Sequence, residues 1–200
     1  MRNATTVILA NGDFPCKGGE AWRLLAGAAR VVACDGAARA YRRRFGRWPT
    51  VVIGDLDSLG RRPADCRVVR VDDQETNDLT KALRYCAQEG WKDPVVLGAG
   101  GKREDHLIGN VFRALEAGVR TVTDHGVFHP VCGKATFRTA KGAAVSVFAP
   151  DPRTKMTSQG LEWPLEDVRF ANLHCATLNR AVGRRVTVSS DRPVYVYIAN

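Results

Sequence analysis

Carboxylates recur in this chain just beyond short apolar runs, several of them beside glycine. Asp35 follows Val31–Cys34 and precedes Gly36; Asp55 and Asp57 follow Val51–Ile53 in the string IGDLDS. Asp72, Asp73 and Asp78 come after Val68–Val71, and Asp105 follows Val95–Leu97 and the loop GAGGKRE. Brought together, such acids repel one another unless a cation neutralises them. Hard carboxylate oxygens suit Mg2+, which usually also takes phosphate oxygens and water. Asp55 and Asp57 flank a single Leu directly after an apolar run, where packing gives no reason for two acids. Asn77 and Asp78 have a second reading as residues that favour a helix N-terminus, and Asp105 has the same one.

The loop holding Gly98, Gly100 and Gly101 has the small residues that let backbone N–H groups approach phosphate oxygens. Lys102 and Arg103 follow as possible cationic contacts, although the spacing is not that of a P-loop. Lys81 stands three residues after Asp78, placed to reach a phosphate or to pair with that acid. His106 reads as a hydrogen-bonded structural residue. His125 and His129 lie in a strand-like segment, where a spacing of four does not bring side chains together. Trp163, in SQGLEWPL, reads as a core aromatic or as a flat ring for stacking or for attracting a cation.

Alternating strand and helix signals must position these residues. Thr6–Ala10, Val31–Cys34, Val51–Ile53, Val68–Val71, Val95–Leu97 and Thr121–Thr123 read as strands; Glu20–Ala29, Gly36–Phe45, Asp78–Gln88 and Leu107–Ala117 read as helices. The third is the clearest, because Leu79, Ala82, Leu83 and Cys86 fall on one face. This alternation predicts a mostly parallel sheet flanked by helices on both faces, with the acids at the carboxyl ends of its strands, where ligands bind. From residue 125 the pattern changes to strands alone: Val127–Val131, Ala135–Thr139, Ala143–Phe148, Arg169–Ala171, Arg184–Val188 and Val194–Ala199. The expected fold class is therefore α/β over residues 1–124, followed by an antiparallel β-sandwich over 125–200.

The 200 residues carry 30 basic and 21 acidic side chains, a net charge of +9. Arg39, Arg42, Arg43, Arg44 and Arg47 form the densest basic cluster, spaced as a solvated helix face. No nucleic-acid-binding motif accompanies it. The six cysteines show no zinc spacing and read as reduced structural thiols, which favours a cytoplasmic protein. The early apolar run is too short for a signal peptide, and no stretch approaches a membrane span.

Together and in this order, CDGAA at Cys34–Ala38, IGDLDSL at Ile53–Leu59, DQETNDLTKAL at Asp73–Leu83, GAGGKREDHLIGN at Gly98–Asn110, QGLEWPL at Gln159–Leu165 and a closing Val/Thr strand pair in Arg184–Ala199 resemble the thiamine pyrophosphokinase family. The resemblance implies Mg2+-dependent transfer of pyrophosphate from ATP to the hydroxyl of thiamine, giving thiamine diphosphate and AMP. It implies a homodimer with active sites in clefts between subunits. By this likeness Asp55, Asp57 and Asp78 would hold Mg2+. Asp35, Gln74, Lys81, Arg103 and Asp105 would line the nucleotide and transfer site, with Thr76 and Gly101 beside them. Asp78 and Asp105 are alternative acceptors of the hydroxyl proton. Trp163 would stack on thiamine, with Asn179 near it. The chain departs from the family pattern at Asn77, where Thr is common and where Thr76 is expected to compensate, and at Leu178, where Ser is frequent. The alternative reading is another Mg2+- and nucleotide-dependent transferase using the same acidic strand ends.

Overall fold

Strands β1 (Thr6–Leu9), β2 (Arg30–Cys34), β3 (Val51–Gly54) and β5 (Val95–Leu97) are short β-branched and leucine-rich runs. In the computed structural model they are buried almost throughout, as strands covered on two faces must be. Residues 5–56, 65–73, 75–166 and 168–200 are described. The chain divides into two compact units, Met1–Asp124 and His125–Asn200.

In the first unit, β4 (Arg67–Arg70) and β6 (Thr121–Val122) complete a parallel sheet in the order β6-β5-β1-β2-β3-β4. Helices α1 (Glu20–Ala26) and α2 (Ala37–Phe45) connect strands running one way from β1. Helices α3 (Asp78–Gln88) and α4 (Glu104–Glu116) serve the crossovers that run the other way. Right-handed crossovers then put the two pairs on opposite faces. Trp22 of α1 stacks on Phe45 of α2 at 5.0 Å, and Asn77, which caps α3, bonds to Asn110 of α4. The chain reverses direction across the sheet between β1 and β5. In open α/β sheets the crevice at such a switch point, beyond the strands' carboxyl ends, is where a ligand fits.

Helix α4 begins at Glu104, three residues before the expected Leu107. Asp105 therefore lies in the first turn rather than ahead of it, where negative charge favours the helix dipole.

The second unit is antiparallel β. Strands β7 (Gly126–Arg138) and β11 (Arg185–Ala199) pair along their whole lengths, with a register break between Ser190 and Val194. Beyond β11, β8 (Ala144–Phe148) pairs with its second half and β9 (Met156–Gln159) with its first; β10 (Ala176–Arg180) adds to β8. Val186 and Val188 from one half of β11, and Val194 and Val196 from the other, enter a single core. The sheet thus folds over itself as a sandwich.

Two expected pairs of short strands are each one long strand. Gly133, at φ 87°, opposes Ser190 where the register shifts, so the Gly and Pro193 that read as breaks are bulge residues within continuous strands. Strands β9 and β10 gave no clear signal because few side chains are buried, several of those are small or polar, and in β10 a register shift breaks the alternation. Arg169–Ala171 is not a strand; Phe170 enters the core from irregular chain. Of the cysteines, only Cys34 and Cys86 are buried; Cys16, Cys132 and Cys175 are exposed, and all six are free thiols. A structural role in packing therefore fits Cys34 and Cys86 and not the three exposed thiols. Among the described residues, no helix is long and apolar enough to cross a membrane.

Candidate active site

At the switch point the chain leaving β1 interlocks with the loop leaving β5. Gly12 N–H donates to Gly98 O at 2.8 Å, and Asp13 N–H donates to Gly100 O at 2.7 Å. A Cβ on Gly12 would lie 2.2 Å from Gly100 O, so only glycine permits this approach. Lys102 Nζ closes the same junction by donating to Asn11 Oδ1 at 3.2 Å. Beside it is a cavity of about 420 Å3, lined among others by Asn11, Asp55, Thr76, Asp78, Lys81, Arg103, His106 and Asn110.

Two carboxylates close on the end of β3, and Asp55 follows directly after it. A Cβ on Gly54 would stand 3.1 Å from Asp35 Cβ and 3.3 Å from Asp78 Cγ, so Asp35 and Asp78 both close on the space a side chain would take there. Asp35 is 6% exposed with φ 39°, and its Oδ1 is buried with no hydrogen-bond partner. Burial pushes the Asp78 carboxyl above its ordinary range; the hydrogen bond and charge of Lys81 oppose this, and the charges of Asp35 and Asp55 add to it. Lys81 is 5% exposed, with its ammonium 3.3 Å from Asp78 Oδ1. A lone buried ammonium is costly, and this carboxylate offsets that cost.

Asn77 caps α3: its Oδ1 accepts from Thr80 N–H at 2.9 Å and from the Thr80 hydroxyl at 2.8 Å. Its Nδ2 donates to Asn110 Oδ1 at 3.2 Å, and Asn110 Nδ2 donates to Ala99 O at 2.9 Å. The carboxylate helix, α4 and the glycine loop are thereby tied together. Thr76, expected to compensate for Asn77, instead donates its hydroxyl to Asp73 Oδ2 at 2.6 Å.

The other expected site residues are dispersed. Asp105 is exposed and held by Arg103 through two hydrogen bonds, Nε to Oδ1 at 3.1 Å and Nη2 to Oδ2 at 2.5 Å. Those bonds keep its carboxyl below the ordinary range. Gly101, at φ 97°, packs against the Asp13 carboxylate. Asp57 and Gln74 lie outside the described residues. Among the described residues, no three His, Cys, Asp or Glu side chains form a ready-made metal site. In the second unit, Trp163 is 54% exposed, against the expectation of a core aromatic, and Asn179 is buried beside its backbone.

Two family models match the chain: the thiamin pyrophosphokinase catalytic domain over residues 21–123, and the thiamin pyrophosphokinase substrate-binding domain over residues 126–197. The chain belongs to the thiamin pyrophosphokinase family. It is 31% identical over 115 residues to Thiamin pyrophosphokinase 1 of Caenorhabditis elegans. That alignment covers 52% of this chain and 47% of the relative, about half the length of each. A solved structure of a Lactobacillus plantarum protein is similar with a TM-score of 0.79 at 20% identity, over 98% of both chains. Thiamin pyrophosphokinase from Geobacillus thermodenitrificans gives 0.76 at 21% identity, over 98% of this chain and 97% of that one. Yeast thiamin pyrophosphokinase gives 0.78 at 13% identity, over 100% and 87%. At such identities the structural likeness speaks for the fold.

In this member of the thiamin pyrophosphokinase family, Asn11 and Asn110 line the cleft, and Asp13 packs on Gly101 beside it, without having been singled out from the sequence. Asn11 and Asp13 follow a strand's carboxyl end, the same signal that marked the other acids. Asn110 lies four residues after His106, so both project from one side of α4. His106 is exposed and lines the cavity, rather than serving as a satisfied structural residue.

Proposed function

We propose that the chain is a thiamine pyrophosphokinase, moving the pyrophosphoryl group of ATP to the hydroxyl of thiamine and releasing AMP. The observation that carries this reading is the cavity at the switch point, where Asp55, Asp78, Lys81 and Arg103 converge in a chain that matches both the catalytic and the substrate-binding models. Mixed charge of this kind suits a nucleoside triphosphate carrying a divalent cation.

The residues fit Mg2+. The partnerless Asp35 Oδ1, and the burial that raises Asp78 with the charges of Asp35 and Asp55 adding to it, are both relieved by a cation. Asp55, Asp57 and Asp78 would hold it, and it would supply charge neutralisation on the triphosphate. Lys81, buried and fixed by Asp78, offers a preorganised positive charge for a phosphate oxygen. Arg103, oriented by Asp105, offers a second. The thiamine hydroxyl would attack the β-phosphorus with AMP leaving, a displacement in which positioning and charge supply most of the rate. Of the two carboxyls that could accept the hydroxyl proton, Asp78 is favoured, since it lines the cavity and Asp105 does not. The exposed face of Trp163 suits the flat, cationic thiazolium of thiamine. The proposal includes a homodimer with shared active sites, drawn from the family resemblance, and a cytoplasmic location, drawn from the reading of the cysteines as reduced thiols.

Incubation with ATP, Mg2+ and thiamine, with nucleotides and thiamine diphosphate separated by chromatography, tests the reading. Thiamine-dependent AMP that disappears on adding EDTA is expected. ADP as the product, or AMP formation indifferent to thiamine, would overturn it.

A further inference from the structure

Trp163 stands out from a segment that is otherwise fixed. Leu161 and Leu165 on either side are buried in the sandwich core, and Leu161 bridges Ala181. Glu162 N–H donates to Arg180 O at 2.9 Å, and Leu165 N–H donates to Ser158 Oγ at 2.9 Å. Between these anchors Asn179 grips the tryptophan's own backbone from both sides. Trp163 N–H donates to Asn179 Oδ1 at 3.2 Å, and Asn179 Nδ2 donates to Trp163 O at 2.7 Å. Asn179 Oδ1 also accepts from Arg180 N–H at 2.8 Å. Both acceptor positions of the amide oxygen and one of its two N–H groups are thus engaged within the protein. Asn179 is 4% exposed.

The neighbouring residue sets this orientation. Leu178 has φ 62° and is 82% exposed, and the register of β10 on β8 shifts between Ala176 and Asn179. A left-handed residue inside a bulge changes which way the next side chain points. Here Leu178 faces out and Asn179 faces in, beneath the Trp163 segment.

We infer that Asn179 is a positioning residue for Trp163, acting on the aromatic platform through its backbone and not on the ligand. The part of this inference that concerns thiamine rests on the proposed function; the clamp itself does not. Holding the segment rigid before the ligand arrives removes an ordering cost from binding.

A double-mutant cycle on steady-state kinetics separates the two roles. Asn179→Ala is expected to raise the KM for thiamine about tenfold or more, as loss of positioning does, with the KM for ATP unchanged. In a Trp163→Ala background the same change should add less than about twofold, since residues acting as one unit are not additive. An equal rise in both backgrounds would overturn the inference and give Asn179 its own contact with thiamine. Asn179→Asp keeps the shape and the acceptor, and replaces the donor to Trp163 O with a carboxylate oxygen that repels it. It guards against an alanine variant that fails to fold, and should show the same pattern. A second readout needs no substrate: fluorescence anisotropy of Trp163, taken as the difference between each chain and its Trp163→Phe counterpart. Lower anisotropy in Asn179→Asp supports the clamp, and unchanged anisotropy overturns it. If the chain proves inactive on thiamine, the proposed function fails while this second measurement still decides the clamp.

Discussion

Asn77 Nδ2 donates to Asn110 Oδ1 at 3.2 Å, joining the capping residue of α3 to a buried side chain of α4. The same Asn77 caps α3 through its Oδ1. A threonine at this position, common in the family pattern, has a hydroxyl oxygen for the cap but no amide to span the gap to Asn110.

Asn77→Ala removes both functions, and is expected to lower stability by the usual ~1 kcal/mol for a lost cap plus a further part for the Asn110 acceptor left unpaired. Asn77→Thr should recover the cap alone and fall between the two in urea-unfolding midpoint. A midpoint for Asn77→Thr equal to the parent's would show that the bond to Asn110 is not felt.

Gly12→Ala puts a methyl against a backbone carbonyl that cannot move aside cheaply, with Gly100 O only 2.2 Å from the new Cβ. The loops leaving β1 and β5 should be forced apart, at about 1–3 kcal/mol, the range for overpacking. Because these loops border the cavity, nucleotide affinity should fall along with the unfolding midpoint. Calorimetric titration with ATP beside a urea melt reads both, and retention of both would mean that the loops are not locked.

The thiols should separate by burial. Burial pushes Cys86 up to about 12, and raises Cys34 as well with help from Asp78. Near pH 8 almost none of either is thiolate, the reactive form. Iodoacetamide on the native protein should therefore label Cys132 and Cys175 first. Cys16 should lag behind those two although it is exposed, because a hydrogen bond with Asp124 and that residue's charge raise its pKa. Peptide mapping by mass gives the order, and early labelling of Cys86 would contradict the packing of α3.

Asp151 accepts hydrogen bonds from Arg153 and Arg192, and the bonds from Arg153 chiefly hold its carboxyl far below the ordinary range. A carboxyl depressed in the folded state stabilises above its unfolded pKa of about 3.9 and loses that contribution as pH falls towards the folded value. Asp151→Asn should melt below the parent at pH 7 and converge with it in strong acid. A gap that does not shrink in acid would assign the loss to packing rather than charge. The group is exposed, so the difference should be small.

Much of the α/β half was legible because its signals are local. Asp78–Gln88 was read with the boundaries observed, since Asn77 caps it and Leu79, Ala82 and Cys86 share a buried face. The β half was harder: burial of few, often small or polar residues gives β9 and β10 little contrast, and Gly133 and Pro193 read as breaks where the strands only bulge. The sequence by itself determined which strand ends carry acids, and hence which edge of the sheet holds the candidate site. Only the tertiary structure decided how those ends complete one another. It brought Asn11 against Lys102 across 91 positions, buried the Lys81 ammonium beside Asp78, and turned Asn179 inward beneath Trp163. Hydrophobic period and turn chemistry report on a few neighbouring residues. Which loops meet depends on strand order and on close backbone packing, and neither is written in any one segment.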